Sequence, residues 1–286
     1  WLAVDDTGGP FDGSVYLLWQ KMERLPSAPG VIYFARSRDR GLTWEMPVAL
    51  TSLAMSGTCL IDVGPQGEIY AAYYRDPEGM ISRVSWDGGD TFGPPAKMLP
   101  EGLFSGPIEG TGIQFPGFPH LIVDRSRSAH RGNAYFVHIA RGRRADGTVA
   151  KAIGLSRSMD RGLTWSASKN ISNAPAGDSF FPMAAVDRVT GDLVVAWYDT
   201  RESPGTSRAR IYAARSSDAG DTFTPPLAVS EELSLATAWM GDYYSLAAHD
   251  GTWVAAFSDG AGRLYVADID LGQAKERAPR RRPTRR

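Results

Sequence analysis

Ser158-Met159-Asp160-Arg161-Gly162-Leu163-Thr164-Trp165 carries a pattern, Ser-x-Asp-x-Gly-x-Thr-aromatic, that occurs four times in the chain. The other copies run from Ser37 to Trp44, from Ser85 to Phe92 and from Ser216 to Phe223. Each reads as a tight β-turn. Short Ser and Asp side chains bond the turn backbone, and Gly supplies a left-handed position without steric cost. The closing aromatic is placed to anchor the turn on a sheet. A turn that returns this faithfully implies that the structure around it is repeated as well.

Outward from the turns, a second register appears. Gly13, Gly67, Gly132, Gly191 and Gly251 each stand two positions before a short apolar run, at 15–19, 69–73, 134–138, 193–197 and 253–257. The glycine spacings are 54, 65, 59 and 60 residues. Each run follows another that ends in Asp5, Asp62, Asp124, Asp187 or His249. Two apolar runs joined by a polar, Gly-containing turn make a hairpin. A third strand is expected before each Ser-x-Asp turn, at 31–35, 81–84, 150–155 and 211–214, and a fourth near Val48, Ala96, Lys169 and Leu227. The unit is a four-stranded antiparallel meander, and no segment sustains helical periodicity. In radial array such units predict an all-β fold, a β-propeller with five blades visible, either alone or as part of a six- or seven-bladed ring. A solenoid would repeat at much shorter intervals, and stacked sandwiches would not place one turn at the same point of every unit. The fifth blade lacks both the turn motif and a fourth strand, while Trp1 opens directly on a first strand. Further residues are therefore expected upstream of Trp1, with the visible blades forming an open arc or a ring whose last blade has three strands. The propeller is assigned to residues 1–272 and a disordered basic tail to 273–286.

The chain has 286 residues, 43% of them hydrophobic and 22% charged, which suffices for a packed core and excludes wholesale disorder. No apolar run approaches the roughly 18 residues of a membrane span. Net charge is −1, but residues 274–286 hold seven basic residues and one Glu, leaving the body at −7. That balance argues against nucleic acid as the partner of the folded part. The single cysteine, Cys59, excludes an internal disulfide framework, and four histidines without ligand-like spacing point to no metal. No cofactor is expected, and the body reads as a monomer.

The repeated turn resembles the Asp-box, or bacterial neuraminidase repeat, of sialidases and of many secreted bacterial propellers. Trp197-Tyr198-Asp199-Thr200-Arg201 and Gly241-Asp242-Tyr243-Tyr244 are similar to the sialidase-like Asp-box proteins. The resemblance covers residues 1 to about 270 and implies glycan recognition, exo-glycosidase chemistry of the sialidase type and a secreted or periplasmic location. Asp-boxes also occur in non-hydrolytic propellers, so a non-catalytic scaffold binding a protein or polymer stands as the alternative.

Meander topology locates the site. Turns 1–2 and 3–4 share one face, while the 2–3 loops and the links between blades share the other. The Asp-box carboxylates therefore lie away from any mouth at the 2–3 loops and read as structural. The 2–3 loops carry Lys21 and Arg24; Arg75 and Asp76; Arg141, Arg143, Arg144 and Asp146; Asp199, Arg201 and Arg208; Asp259 and Arg263. Strand-1 starts add His120, Phe181 and Tyr243. A ring of guanidinium groups suits an anionic sugar, since Arg binds carboxylate or sulfate bidentately; solvated, locally paired charges are the plainer reading. Arg75 and Arg201 are the expected cations, with Asp199 and Asp259 as orienting carboxylates. The family uses an arginine triad, a Tyr nucleophile assisted by Glu, and an Asp acid/base. Glu23-Arg24-Leu25-Pro26 approaches its first arginine motif but sits in a 2–3 loop. Tyr243-Tyr244-Ser245-Leu246 resembles the nucleophile's setting, with Tyr243 the favoured match, and Phe181-Pro182 stands where the Glu-Pro would be.

Overall fold

A computed structural model describes residues 1–21, 30–51, 58–75, 77–99, 103–115, 117–235 and 244–271. Arg24, Asp76, Tyr243 and the basic tail thus lie outside the described residues. The described chain forms five antiparallel sheets in sequence order. Sheet 1 holds β1 (Leu2–Val4), β2 (Val15–Lys21), β3 (Val31–Ser37) and β4 (Val48–Ala49). Sheet 2 holds β5 (Cys59–Val63), β6 (Ile69–Arg75), β7 (Gly79–Ser85) and β8 (Ala96–Leu99). Sheet 3 holds β9 (His120–Val123), β10 (Ala134–Arg143), β11 (Val149–Ser158) and β12 (Lys169–Asn170). Sheet 4 holds β13 (Ser179–Val186), β14 (Leu193–Asp199), β15 (Arg208–Ser216) and β16 (Leu227–Ala228), and β17 (Leu233–Ser234) also pairs with β15. Sheet 5 holds three strands, β18 (Ser245–His249), β19 (Thr252–Ser258) and β20 (Leu264–Ile269). The expected second, third and fourth strands all form, and β17 is an addition the sequence reading did not contain.

The four motif turns are built alike. In each, the Ser hydroxyl donates to the Asp at 2.7–2.8 Å and accepts from the Gly N–H at 2.7–2.8 Å. The same Asp accepts the Thr N–H at 2.8–2.9 Å and the Thr hydroxyl at 2.5–2.6 Å. The Gly has φ between 83° and 90°, and the residue before it is also left-handed, at Arg40, Gly88, Arg161 and Ala219. The turns of sheets 2, 3 and 4 dock on the preceding sheet. Phe92 meets Phe34 of sheet 1 edge-on at 5.1 Å, and Trp165 donates from Nε1 to Ser82 of sheet 2 at 2.9 Å. Arg36 and Arg157 reach forward to the turns of sheets 2 and 4, donating to Gly88 and Ala219 carbonyls at 2.7 Å.

Burial follows from this stacking. β14 of sheet 4 is buried along its whole length, because sheets 3 and 5 cover both its faces. β2 and β20, in the terminal sheets, alternate instead, as strands with one covered face must. The ends of the first strands add ties. The Asp62 carboxylate accepts Val123 N–H at 2.7 Å, and Asp187 accepts Gly251 N–H at 2.7 Å. Asp6 of sheet 1 pairs with Arg125 of sheet 3 at 2.6 Å and Arg188 of sheet 4 at 2.5 Å, so the 1–2 turns of these three sheets meet. Cys59 is buried in β5, and burial raises its thiol pKa.

Candidate functional site

The 2–3 loops and strand-1 starts share the face opposite the Ser-x-Asp turns. In sheet 4 the loop is anchored by Asp199, whose side chain is buried. Its carboxylate accepts from Trp197 Nε1 at 2.8 Å, Ser179 Oγ at 2.8 Å and the Arg201 backbone N–H at 2.8 Å. It also receives the Arg201 guanidinium through Nε at 2.9 Å and Nη2 at 2.7 Å. Arg201 lies over the Tyr212 ring at 4.2 Å and gives a further bond to the Ser172 carbonyl at 2.8 Å. The carboxylate thus sets the plane of the Arg201 guanidinium. Its Nη1 is unbonded among the described residues.

Asp259 holds the equivalent place in sheet 5. It accepts from Arg263 Nε at 2.7 Å, Tyr265 OH at 3.0 Å and the Ala261 and Arg263 N–H groups at 2.9 and 3.0 Å. Burial alone would raise its pKa, but these bonds outweigh that and lower it. Arg75 is bound within its own loop by Glu78. Arg144 is likewise committed, to Asp178 at 3.2 Å and Glu109 at 2.9 Å. Tyr243 lies outside the described residues. Its neighbour Tyr244 packs on Phe181 at 5.0 Å and Tyr198 at 5.1 Å, with its hydroxyl 3.4 Å from Ser258 Oγ.

Phe181 is the residue whose conformation the sequence hid. It sits at a register shift in β13 and has φ of 49°, an outlier for a bulky side chain. The bulge turns its ring onto Gly117, where any Cβ would lie 2.4 Å from Phe181 Cδ1. Phe181, Tyr198 and Tyr244 thus form a packed aromatic cluster where sheets 4 and 5 meet, with Phe181 and Tyr198 buried. On the opposite side, Trp1 and His120 touch edge to face at 6.2 Å, joining the first strands of sheets 1 and 3. Desolvation lowers the His120 pKa to about 4, so it is neutral at pH 7. Asp178, Glu202 and Tyr212 were also absent from the sequence reading. Asp178 takes Lys151 N–H at 2.8 Å, and Glu202 takes Arg210 at 2.9 Å and the Tyr212 hydroxyl. Only their places in the folded chain reveal them. No group of metal-binding side chains occurs among the described residues.

No family model and no curated protein sequence matches this chain. Solved structures do resemble it. A GH93 α-L-arabinofuranosidase of Fusarium graminearum in complex with arabinobiose has a TM-score of 0.55 at 14% identity, covering 93% of this chain and 74% of that one. A Dyadobacter fermentans protein of unknown function has a TM-score of 0.51 at 15% identity, covering 93% and 92%. A Hadza microbial sialidase has a TM-score of 0.51 at 15% identity, covering 94% of this chain but 52% of that one. At such identities the likeness is one of fold, and the fold is that of β-propeller glycosidases.

Proposed function

We propose that this chain is a sialidase-like Asp-box propeller that recognises glycans at the mouth formed by its 2–3 loops. The observation that carries this reading is the Asp199–Arg201–Tyr212 arrangement. A buried carboxylate and an aromatic face hold one guanidinium in a fixed plane at the end of the sheet-4 hairpin. In this reading Arg201 receives an anionic group of the sugar, and Arg75 joins it by exchanging Glu78 for the ligand. Asp199 and Asp259 orient the loops, and Tyr243 is the catalytic tyrosine if hydrolysis occurs. The resemblance supports a secreted or periplasmic protein, and no helix among the described residues is long and apolar enough to cross a membrane.

One observation favours the non-catalytic alternative. Asp178, Asp199, Glu202 and Asp259 are all engaged by Arg or Tyr side chains, whereas glycoside hydrolysis needs a proton donor and an activated nucleophile. A phenol with a reference pKa of about 10 also needs a base or cation beside it. Release from fluorogenic sialosides and arabinofuranosides, measured beside binding to a glycan array, separates the two readings. Binding with slow or absent release is expected. Rapid release that survives Tyr243→Phe would reject the tyrosine assignment.

A further inference from the structure

A second cleft, with a volume of about 440 Å³, lies between sheets 2 and 3 and includes Arg141 near the end of β10. Leu99, Leu103 and Phe104 form its apolar wall, and Arg141, Ser168 and Asn170 bring polar atoms to it. Arg141 differs from the other described loop arginines. Arg75, Arg144, Arg201, Arg208 and Arg263 each pair with a carboxylate, and Arg143 donates to the Gly147 carbonyl at 3.1 Å. Arg141 stacks on Phe104 at 4.8 Å and has no hydrogen-bond or ion-pair partner among the described residues. Lys151 adds a second positive charge 5.7 Å from the same ring. No carboxylate is among the described residues lining the cleft, although the body is negatively charged.

The remaining polar atoms have fixed roles. The buried His138 ring places Nδ1 3.0 Å from the Ile139 carbonyl and Nε2 3.0 Å from Ser168 Oγ. A carbonyl only accepts, so in the neutral ring Nδ1 carries the proton and Nε2 accepts from the Ser168 hydroxyl. With its proton held by His138, Ser168 offers oxygen lone pairs to a ligand hydroxyl. Asn170 spends its Oδ1 on the Ser172 N–H at 3.2 Å, leaving Nδ2 as a donor. A guanidinium for an anion, an acceptor for a hydroxyl, an amide donor and an apolar wall together match an acidic sugar.

We propose that this cleft binds a sugar ring bearing a carboxylate or sulfate group, as a site separate from Arg201 of sheet 4. Arg141 takes the anionic group, and Ser168 and Asn170 take ring hydroxyls. The test is calorimetric titration of the full chain with three probes: a tetrasaccharide of alternating glucuronate and N-acetylglucosamine, its carboxyl-reduced counterpart, and a sulfated neutral tetrasaccharide. Binding of the glucuronate or sulfated probe, but not the reduced one, is expected. Their relative affinities tell which anion the cleft prefers. Arg141→Gln should weaken binding at least about tenfold, as loss of a charge-assisted contact does, and Ser168→Ala should weaken it less. Arg127→Ala, an exposed arginine on the turn face, should leave it unchanged. Thermal melts of each variant separate lost binding from lost fold. Absence of binding by both anionic probes, equal binding of the reduced probe, or binding indifferent to Arg141→Gln in a folded variant would overturn the proposal.

Discussion

Asp199 is where one side chain bears most weight. Its carboxylate is buried, and four separate groups donate to it: the Trp197 indole, the Ser179 hydroxyl, and the Arg201 backbone and guanidinium. Removing one member of a buried ion pair strands the other and its donors, so Asp199→Ala should lower stability by about 3–5 kcal/mol, read from denaturant melts. A loss below about 1 kcal/mol would mean that the pair is not structural. The carboxylates of the Ser-x-Asp turns are more exposed and individually weaker; Asp160→Ala should cost about 1 kcal/mol. Their acid behaviour is distinctive. Burial would raise the pKa values of Asp87 and Asp218, but bonds from Thr91 and Ser85, and from Thr222 and Ser216, bring each down to about 2. A folded pKa below the ordinary 3.8 gives stability that is complete above pH 4 and is lost as pH falls towards 2. His120 acts in a higher window. Desolvation holds it at about 4, so the unfolded chain binds its proton first and stability falls as pH drops from 6.5 to 4. His120→Gln should flatten that upper limb and leave the lower one unchanged. The Asp-x-Arg pairing could be read from the sequence because the two residues are close along the chain. Phe181 could not, since a residue before proline ordinarily reads as extended.

At the scale of the element, the four Ser-x-Asp turns look interchangeable in sequence but not in setting. A Cβ on Gly220 would lie 2.6 Å from Leu155 Cδ2 of the preceding sheet, and one on Gly89 would lie 2.6 Å from Phe34 Cζ. On Gly41 it would meet nothing within 4 Å. All three glycines are left-handed, so Ala at any of them carries backbone strain, and at Gly220 a packing clash is added. Gly41→Ala should therefore cost about 1 kcal/mol and Gly220→Ala about 2–4 kcal/mol. Equal losses in thermal melts would show that the turns do not dock on their neighbours. Strand positions were legible because apolar runs and turn residues alternate at a fixed spacing. β17 was not, because two residues, Leu233 and Ser234, are too few to carry a period. Nor did the turn motif disclose the second left-handed residue, since Arg40, Arg161 and Ala219 are not residue types that announce it.

Across the whole molecule, sheets 2 to 4 are covered on both faces and the terminal sheets are not. Leu2 and Val4 of sheet 1 are 56% and 45% exposed, and Leu264 and Val266 of sheet 5 are 86% and 74% exposed. The Leu264→Thr, Val266→Thr double change should accordingly alter stability by no more than about 0.5 kcal/mol per site. A large loss would mean that this face is covered. The three-stranded fifth sheet was foreseen from its missing turn motif, and the five-sheet architecture from the repeat. The convergence of loop cations was not readable, because it depends on which carboxylate each arginine meets. Asp199 turns Arg201 onto Tyr212, while Glu78 keeps Arg75 in its own loop. The central claim is that the 2–3 loop face recognises glycans through Arg201. It is tested most directly by measuring the affinity of the wild type and of Arg201→Gln for sialosides and arabino-oligosaccharides, with folding checked by circular dichroism. The account predicts that at least one sialoside binds and that folded Arg201→Gln binds it at least about tenfold more weakly. Binding that Arg201→Gln leaves intact, while Asp160→Ala on the opposite face abolishes it, would contradict the account.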